Sequence, residues 1–399
     1  MASATSARQT SRHLLAWIGL VVLGLAMIYQ LRHVNIVEAL GLADYVAYWA
    51  AGRLMVSGEN PYSWDDLLRL QHELGWPETY PNMMYYPPWT LPLVMLLGAP
   101  PYGLSRCLWL PIGLGLIGFC TDRIWRFYRG PVSYRWVAWS VAFSFIPTLV
   151  VLRMGQIGPV LLVGIVGFLY FQERRRDWLA GAALLLPAIK PQLVYLFGVA
   201  VLAWAAGQRR WRILGGGVLA FLGAVGLALL WNPHVLDQYR VALANPPVVN
   251  VTPTIGGLLR LTFGGEHVWL QYPPTILGML WFCFYWRKHR HTWSWAEQAP
   301  LLVLVSFLTT AYGAWIFDLV VLLLPLLQAS AWVASRADSR LTRIALGIFL
   351  AINGVALAMN LAEVTYPAFI WMTPAILVGY LVLRRQVRPA ASLKPGTTG

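Results

Sequence analysis

PPWTLPLVMLLG, residues 87–98, decides how this chain is threaded. Apart from Thr90 the stretch is apolar, yet it is a dozen residues long and contains Pro88 and Pro92. A helical crossing of a bilayer needs about 20 apolar residues, so 87–98 reads as a helix lying at the interface. Making it a full span would invert every segment downstream, and the distribution of Lys and Arg tests that alternative. With 87–98 kept off the spans and the N-terminus inside, 22 of the 30 Lys and Arg fall on inner segments. They are Arg8, Arg12 and the clusters at 123–135, 174–176, 209–212, 287–290, 336–343 and 384–394. Carboxylates show the opposite bias, with eleven of sixteen on the outer side.

Upstream of this helix lies LADYVAYWAAGRLMVSGENPYSWDDLL (42–68), followed by a polar segment and YPNMMYYPP (80–88). Counting Glu38, the region holds seven of the sixteen carboxylates and reads as one large outer loop, 32–101. The chain as a whole is 58% hydrophobic and 12% charged, with a mean hydropathy of +0.58 and 21 Trp among 399 residues. A soluble domain carries about 25% charge, so the composition predicts a polytopic membrane protein. The net charge of +14 does not indicate nucleic acid, because the basic residues punctuate apolar runs and form no basic domain. Cys107, Cys120 and Cys283 all sit in apolar runs, so neither a disulfide framework nor a paired-cysteine metal motif is present.

The apolar runs predict an all-α fold with about twelve spans, at 14–31, 102–121, 134–152, 157–171, 178–190, 191–206, 212–231, 268–286, 299–311, 315–333, 341–360 and 367–384. A second outer loop covers 232–267. No small-residue cleavage site follows the first run, so it reads as a retained helix. The expectation is one membrane-embedded domain over 1–399, with both termini cytoplasmic and a disordered tail at 389–399.

Charges at membrane depth are costly and tend to mark function. Eight cations stay on or near the outer side: Arg32, Arg53, Arg69, Arg106, Arg153, Lys190, Arg240 and Arg260. Arg153, Lys190 and Asp318 each sit where two predicted spans meet at that face, and Asp44 opens the outer loop beside it. Asp44 is the candidate catalytic base. Its alternative reading is an N-cap for the helix that starts at Tyr45. Lys190, Arg260 and Arg153 are candidate contacts for a donor phosphate, although Lys190 can equally snorkel. Asp318, Gln156, Tyr86 and Arg53 are candidate substrate contacts. For Asp318 the plainer reading is a polar neighbour of Lys190 or Arg153, for Gln156 a tight turn, and for Tyr86 an interface anchor. No metal site is predicted.

Several of these residues recur as short motifs: Asp44-Tyr45 with Tyr48, Gly58-Glu59-Asn60-Pro61-Tyr62, Tyr86-Pro87-Pro88, Gly155-Gln156, Gly181 with Lys190-Pro191, and Trp315 with Asp318 before Pro325. In order and spacing, over roughly residues 14–330, they resemble glycosyltransferase family 87, a branch of the GT-C superfamily. Two positions depart from that pattern. Ala311-Tyr312 stands where the family often has Ser-Pro, and Phe317-Asp318 where some members carry His. The resemblance implies a plasma-membrane enzyme whose active site faces the extracytoplasmic side, with an outer-loop Asp as base. It also implies metal-independent, inverting transfer of a hexose, plausibly mannose. The partners would be a polyprenyl-phosphate sugar as donor, a glycolipid or glycan as acceptor, and membrane lipids. No separate cofactor is expected. The rival reading is a flippase or transporter of lipid-linked glycans, which would favour inverted repeats and a site at the bilayer midplane.

Overall fold

The computed structural model describes residues 44–244, 251–336 and 338–387. The expected first span and the tail at 389–399 lie outside the described residues. Among the described residues the chain is helical, with no strand.

The described part of the expected first outer loop contains α1 (Tyr45–Val56), α2 (Trp64–Glu73) and α3 (Leu91–Gly98). Helix α1 buries ten of its twelve residues, so it is a core helix and not a surface one. It crosses α3 at Gly52 and Gly98. A Cβ on Gly52 would stand 2.0 Å from the Val94 carbonyl oxygen, and one on Gly98 would stand 2.2 Å from the Arg53 nitrogen. Only two glycines allow backbones to approach this closely, as at small-residue crossings in membranes. The stretch at 87–98 thus folds as a short helix, led by a 3-10 turn at Pro88–Thr90.

Next come α4 (Tyr102–Phe127), α5 (Arg135–Ser144), α6 (Ile146–Met154) and α7 (Gly158–Glu173). The chain bends 55° between α5 and α6, before Pro147. The amide freed there, on Ile146, donates to Asn353 Oδ1 at 2.8 Å. That bond satisfies a donor that lipid could not. Then follow α8 (Asp177–Ala183), α9 (Tyr195–Gly207), α10 (Trp211–Trp231), α11 (Val235–Ala244), α12 (Ile255–Phe263), α13 (Pro273–His289), α14 (Trp295–Thr309), α15 (Leu323–Arg336), α16 (Ser339–Leu361) and α17 (Met372–Val387). The segment expected as a second outer loop, 232–267, is therefore partly helical, through α11 and α12.

Among the described residues, five helical segments are long and apolar enough to cross a bilayer: α4, α10, Asp318–Arg336, α16 and Tyr366–Val387. Two bent pairs bring the number to at most seven, when each pair is taken as one broken span. Their outward faces are apolar: on α10, Val218, Leu219, Leu222 and Leu230 are all exposed. A helix of that kind is stable in lipid, not in water. This is a polytopic membrane protein.

Eleven of the twelve expected spans fall on described residues, and length alone does not qualify all of them as crossings. Helices stand at the positions expected for spans two to twelve, but several are short. At 1.5 Å per residue α7 reaches about 24 Å and α14 about 22 Å, less than the roughly 30 Å of hydrocarbon. The expected pair at 178–190 and 191–206 is one segment that turns through 118° at Lys190. These short ends leave irregular backbone buried within the protein, and the polar residues gather there.

Candidate active site

Four breaks in the helical pattern meet at one place: the start of α1, the α6–α7 turn, the Lys190 break and the segment before α15. Each carries one polar side chain into the same cluster.

The α6–α7 turn presents Gln156. Helix α6 ends at Gly155, whose φ of +66° is the left-handed conformation that glycine adopts freely. Gly155 N donates to the Leu152 carbonyl at 3.3 Å, and Gln156 N to the Val151 carbonyl at 3.1 Å. Arg106, buried on α4, adds Nη2 bonds to the carbonyls of Leu152 (3.3 Å) and Arg153 (2.7 Å). A guanidinium at a helix C-terminus also meets the negative end of its dipole. Trp109 Nε1 holds the Gly155 carbonyl at 2.9 Å. A Cβ at position 155 would fall 2.7 Å from Tyr45 Cβ. Gly155→Ala is therefore expected to lower the melting temperature, by about 1–2 kcal/mol of stability from the left-handed residue alone. It should also slow the enzyme by displacing Gln156. Parental melting and parental rate in this variant would show that the turn does not position Gln156.

Gln156 links both ends of the cluster. Its Nε2 donates to Asp44 Oδ2 at 2.7 Å, while its Oε1 accepts from Tyr48 Oη and, at 3.4 Å, from Lys190 Nζ. Tyr48 in turn lies 3.0 Å from the Tyr86 hydroxyl. A lysine can only donate and a carboxylate can only accept, so the order Lys190–Gln156–Asp44 fixes the orientation of the amide.

Asp44 sits in helical backbone and makes no side-chain cap bond. The capping alternative therefore fails. The carboxylate is instead held by two neutral amides, Gln156 and Asn82, the latter donating from Nδ2 to Oδ1 at 3.3 Å. Burial raises its pKa above the ordinary carboxylate value. The bonds from Gln156 and Asn82 and the charge of Lys190 pull it back, and Asp318 adds to the rise.

Lys190 is buried and donates to Asp318 Oδ1 at 2.7 Å. Its ammonium also faces the rings of Tyr86 (5.2 Å) and Phe317 (5.3 Å). Asp318 Oδ2 accepts from Trp315 N at 3.2 Å. The plain reading of Asp318 as a neighbour of Lys190 is thus its actual position, which leaves a further substrate role open.

The remaining candidates fall outside this chain of bonds. Arg153 is exposed and stands beside Tyr366, a ring close enough to Asp44 to feel its charge. Arg260 is buried, with Nε and Nη2 on the Gly265 carbonyl at 3.1 and 2.7 Å. Tyr312 lies within electrostatic reach of both Lys190 and Arg260. Arg53 is exposed and donates to the Ala99 carbonyl at 3.2 Å.

Sequence reasoning gave Asn82 and Tyr48 no site role, and named Arg106 only among the outer cations. Arg106 carried the clearest signal, an arginine opening a membrane span. Among the described residues no group of three or more His, Cys, Asp or Glu is placed to hold a metal.

The sequence matches the model of Glycosyltransferase family 87 over residues 85–308, more than half of the chain. The chain belongs to glycosyltransferase family 87. Neither a curated protein nor a solved structure matches it. The family 87 match includes Tyr86, Arg153, Gln156, Lys190 and Arg260, whereas Asp44, Arg53, Asn82 and Asp318 lie outside it. Family 87 membership makes this protein a membrane glycosyltransferase.

Proposed function

We propose that this glycosyltransferase moves a hexose, by family resemblance mannose, from polyprenyl phosphate to a glycolipid or glycan acceptor, with inversion at the anomeric carbon. The acceptor oxygen bonds to C1 as the C1–O bond to phosphate breaks, and polyprenyl phosphate leaves with the electron pair. The acceptor proton passes to Asp44. The observation that carries this reading is the environment of Asp44. Its carboxylate is oriented by two neutral amides and kept off helix capping. A half-buried, desolvated carboxylate whose pKa is raised is a stronger base than one in water.

A polyprenyl monophosphate is a stable anion, so fixed cations can stabilise its departure in place of a metal. Arg153, Arg260 and Lys190 are assigned to it. Lys190 meets the phosphate by loosening its contact with Asp318. Asp318, Gln156, Tyr86 and Arg53 are assigned to the sugar and acceptor. The site faces the extracytoplasmic side of the plasma membrane, with both termini cytoplasmic. Supporting this, the arginine clusters at 123–129 and 174–176 lie at the far ends of α4 and α7 from Asp44, as the positive-inside rule requires.

The donor assignment is tested with purified enzyme offered synthetic polyprenyl-phosphate mannose or a nucleotide sugar, each with and without EDTA. Transfer is expected from the lipid donor alone, at a rate EDTA leaves unchanged. Turnover of the nucleotide sugar, or loss in EDTA with recovery in Mn²⁺, overturns the assignment.

A further inference from the structure

A second polar site lies at the opposite end of the molecule from Asp44. Helix α4 passes Arg106 at the active site and reaches Arg126 twenty residues on, a rise of about 30 Å, close to the hydrocarbon thickness of a bilayer. Helix α7 starts two residues after Gln156 and ends at Glu173 beside the same place. Between these far ends is a cavity of about 180 Å³. Arg123, Arg126, Arg129 and Arg174 line it, and the half-buried rings of Phe127 and Tyr170 form its accessible apolar wall.

Two features separate this cavity from an ordinary basic helix end. The first is charge. Arg126 pairs with Asp122 at 2.9 Å and Arg174 lies 3.7 Å from Glu173, but among the described residues Arg123 and Arg129 have no carboxylate in ion-pair range. The second is preorganisation. The Arg123 guanidinium is held 5.2 Å from the ring centres of both Phe119 and Tyr170, and Arg174 stacks on Tyr170 at 3.7 Å. Arg174 Nη1 is occupied by the Tyr170 carbonyl at 3.4 Å, but Arg123, fixed on two rings and, among the described residues, away from any carboxylate, presents a fork that suits the paired oxygens of a phosphate.

We propose that this cavity binds the phosphate of an anionic phospholipid in the leaflet opposite the active site. The arginines stand about one hydrocarbon thickness along α4 from Arg106, a separation that puts them at headgroup level in the opposite leaflet, and the apolar wall beside them suits the glycerol and upper acyl carbons. A soluble anion would use the arginines but not that wall.

The test measures binding of short-chain phosphatidylglycerol and phosphatidylcholine to the full-length protein in neutral detergent, by native mass spectrometry. The parent is expected to prefer phosphatidylglycerol at least tenfold. Arg123→Gln with Arg129→Gln should remove that preference, and Arg123→Lys should keep part of it. Arg287→Gln with Lys288→Gln strips the same charge from the exposed end of α13 and should leave binding unchanged. Gel filtration and melting temperature confirm that each variant is folded. The proposal is overturned if the Arg123/Arg129 variant binds phosphatidylglycerol like the parent. It is also overturned if the α13 variant loses binding equally, or if millimolar inorganic phosphate displaces the lipid.

Discussion

Asp44→Asn is expected to slow sugar transfer at least about a hundredfold and to leave donor affinity close to that of the parent, since a general base contributes about 10²- to 10⁴-fold. Asn keeps the shape of Asp and can still accept from Gln156 Nε2, so the cluster around it should persist. Its NH2 then faces Asn82, whose amide has to turn so that Oδ1 accepts from it; beyond that one reversed bond Asn lacks the charge and the basicity. Helix α1 should be unaffected, because the Asp44 side chain does not cap it. Folded stability should not fall at neutral pH. A carboxyl whose pKa burial has raised is disfavoured in its ionised form in the native state, so removing the charge removes that penalty. The parent enzyme should also lose activity in acid, as Asp44 protonates. That limb should lie above the ordinary carboxylate value of 3.8, because desolvation is the largest influence on the group. Asp44→Glu should recover little, since a shift of about an ångström away from the attacking hydroxyl can cost 10²-fold. The measurements are kcat and donor Kd for the purified variants, with a pH profile for the parent. An Asp44→Asn enzyme within threefold of the parent rate would remove Asp44 as the base and leave Asp318 as the leading candidate.

The sequence made the membrane character and the polar cluster around Asp44 and Lys190 readable, because charge is scarce in this chain. When 12% of residues are charged, an Asp just past an apolar run and a Lys between two prolines stand out at once. The Pro87–Gly98 helix was readable from length alone. The span count needs more than length, since apolar length does not tell a full crossing from a short helix that ends in buried irregular chain. Gly155 illustrates a second limit. Gly-Gln marks a turn, but the left-handed backbone that aims Gln156 depends on Arg106 and Trp109 from another helix. Asn82 was hidden because it is an ordinary residue in a polar loop until it is folded against Asp44. Partner choice was the hardest part to read. Lys190 and Asp318 are 128 residues apart, and nothing local tells Lys190 to meet a carboxylate instead of a phosphate.

That pairing leads to the second large effect. Lys190→Met is expected to destabilise the protein by about 3–5 kcal/mol, because it leaves the Asp318 carboxylate buried without a counter-charge. Asp318→Leu should destabilise similarly by stranding the ammonium. The double variant Lys190→Met/Asp318→Leu removes both charges and should recover most of the lost stability, as buried ion pairs replaced by apolar groups often do. Its activity should not return. Lys190 also donates to Gln156 Oε1, and through that amide it orients the group that holds Asp44. A thermal-stability cycle over the four proteins in detergent gives the coupling between the two charges. Transfer rates on the same samples separate structure from chemistry. If the double variant regained both stability and rate, Lys190 and Asp318 would be a structural pair alone, and the leaving phosphate would have to be met by Arg153 and Arg260 without Lys190.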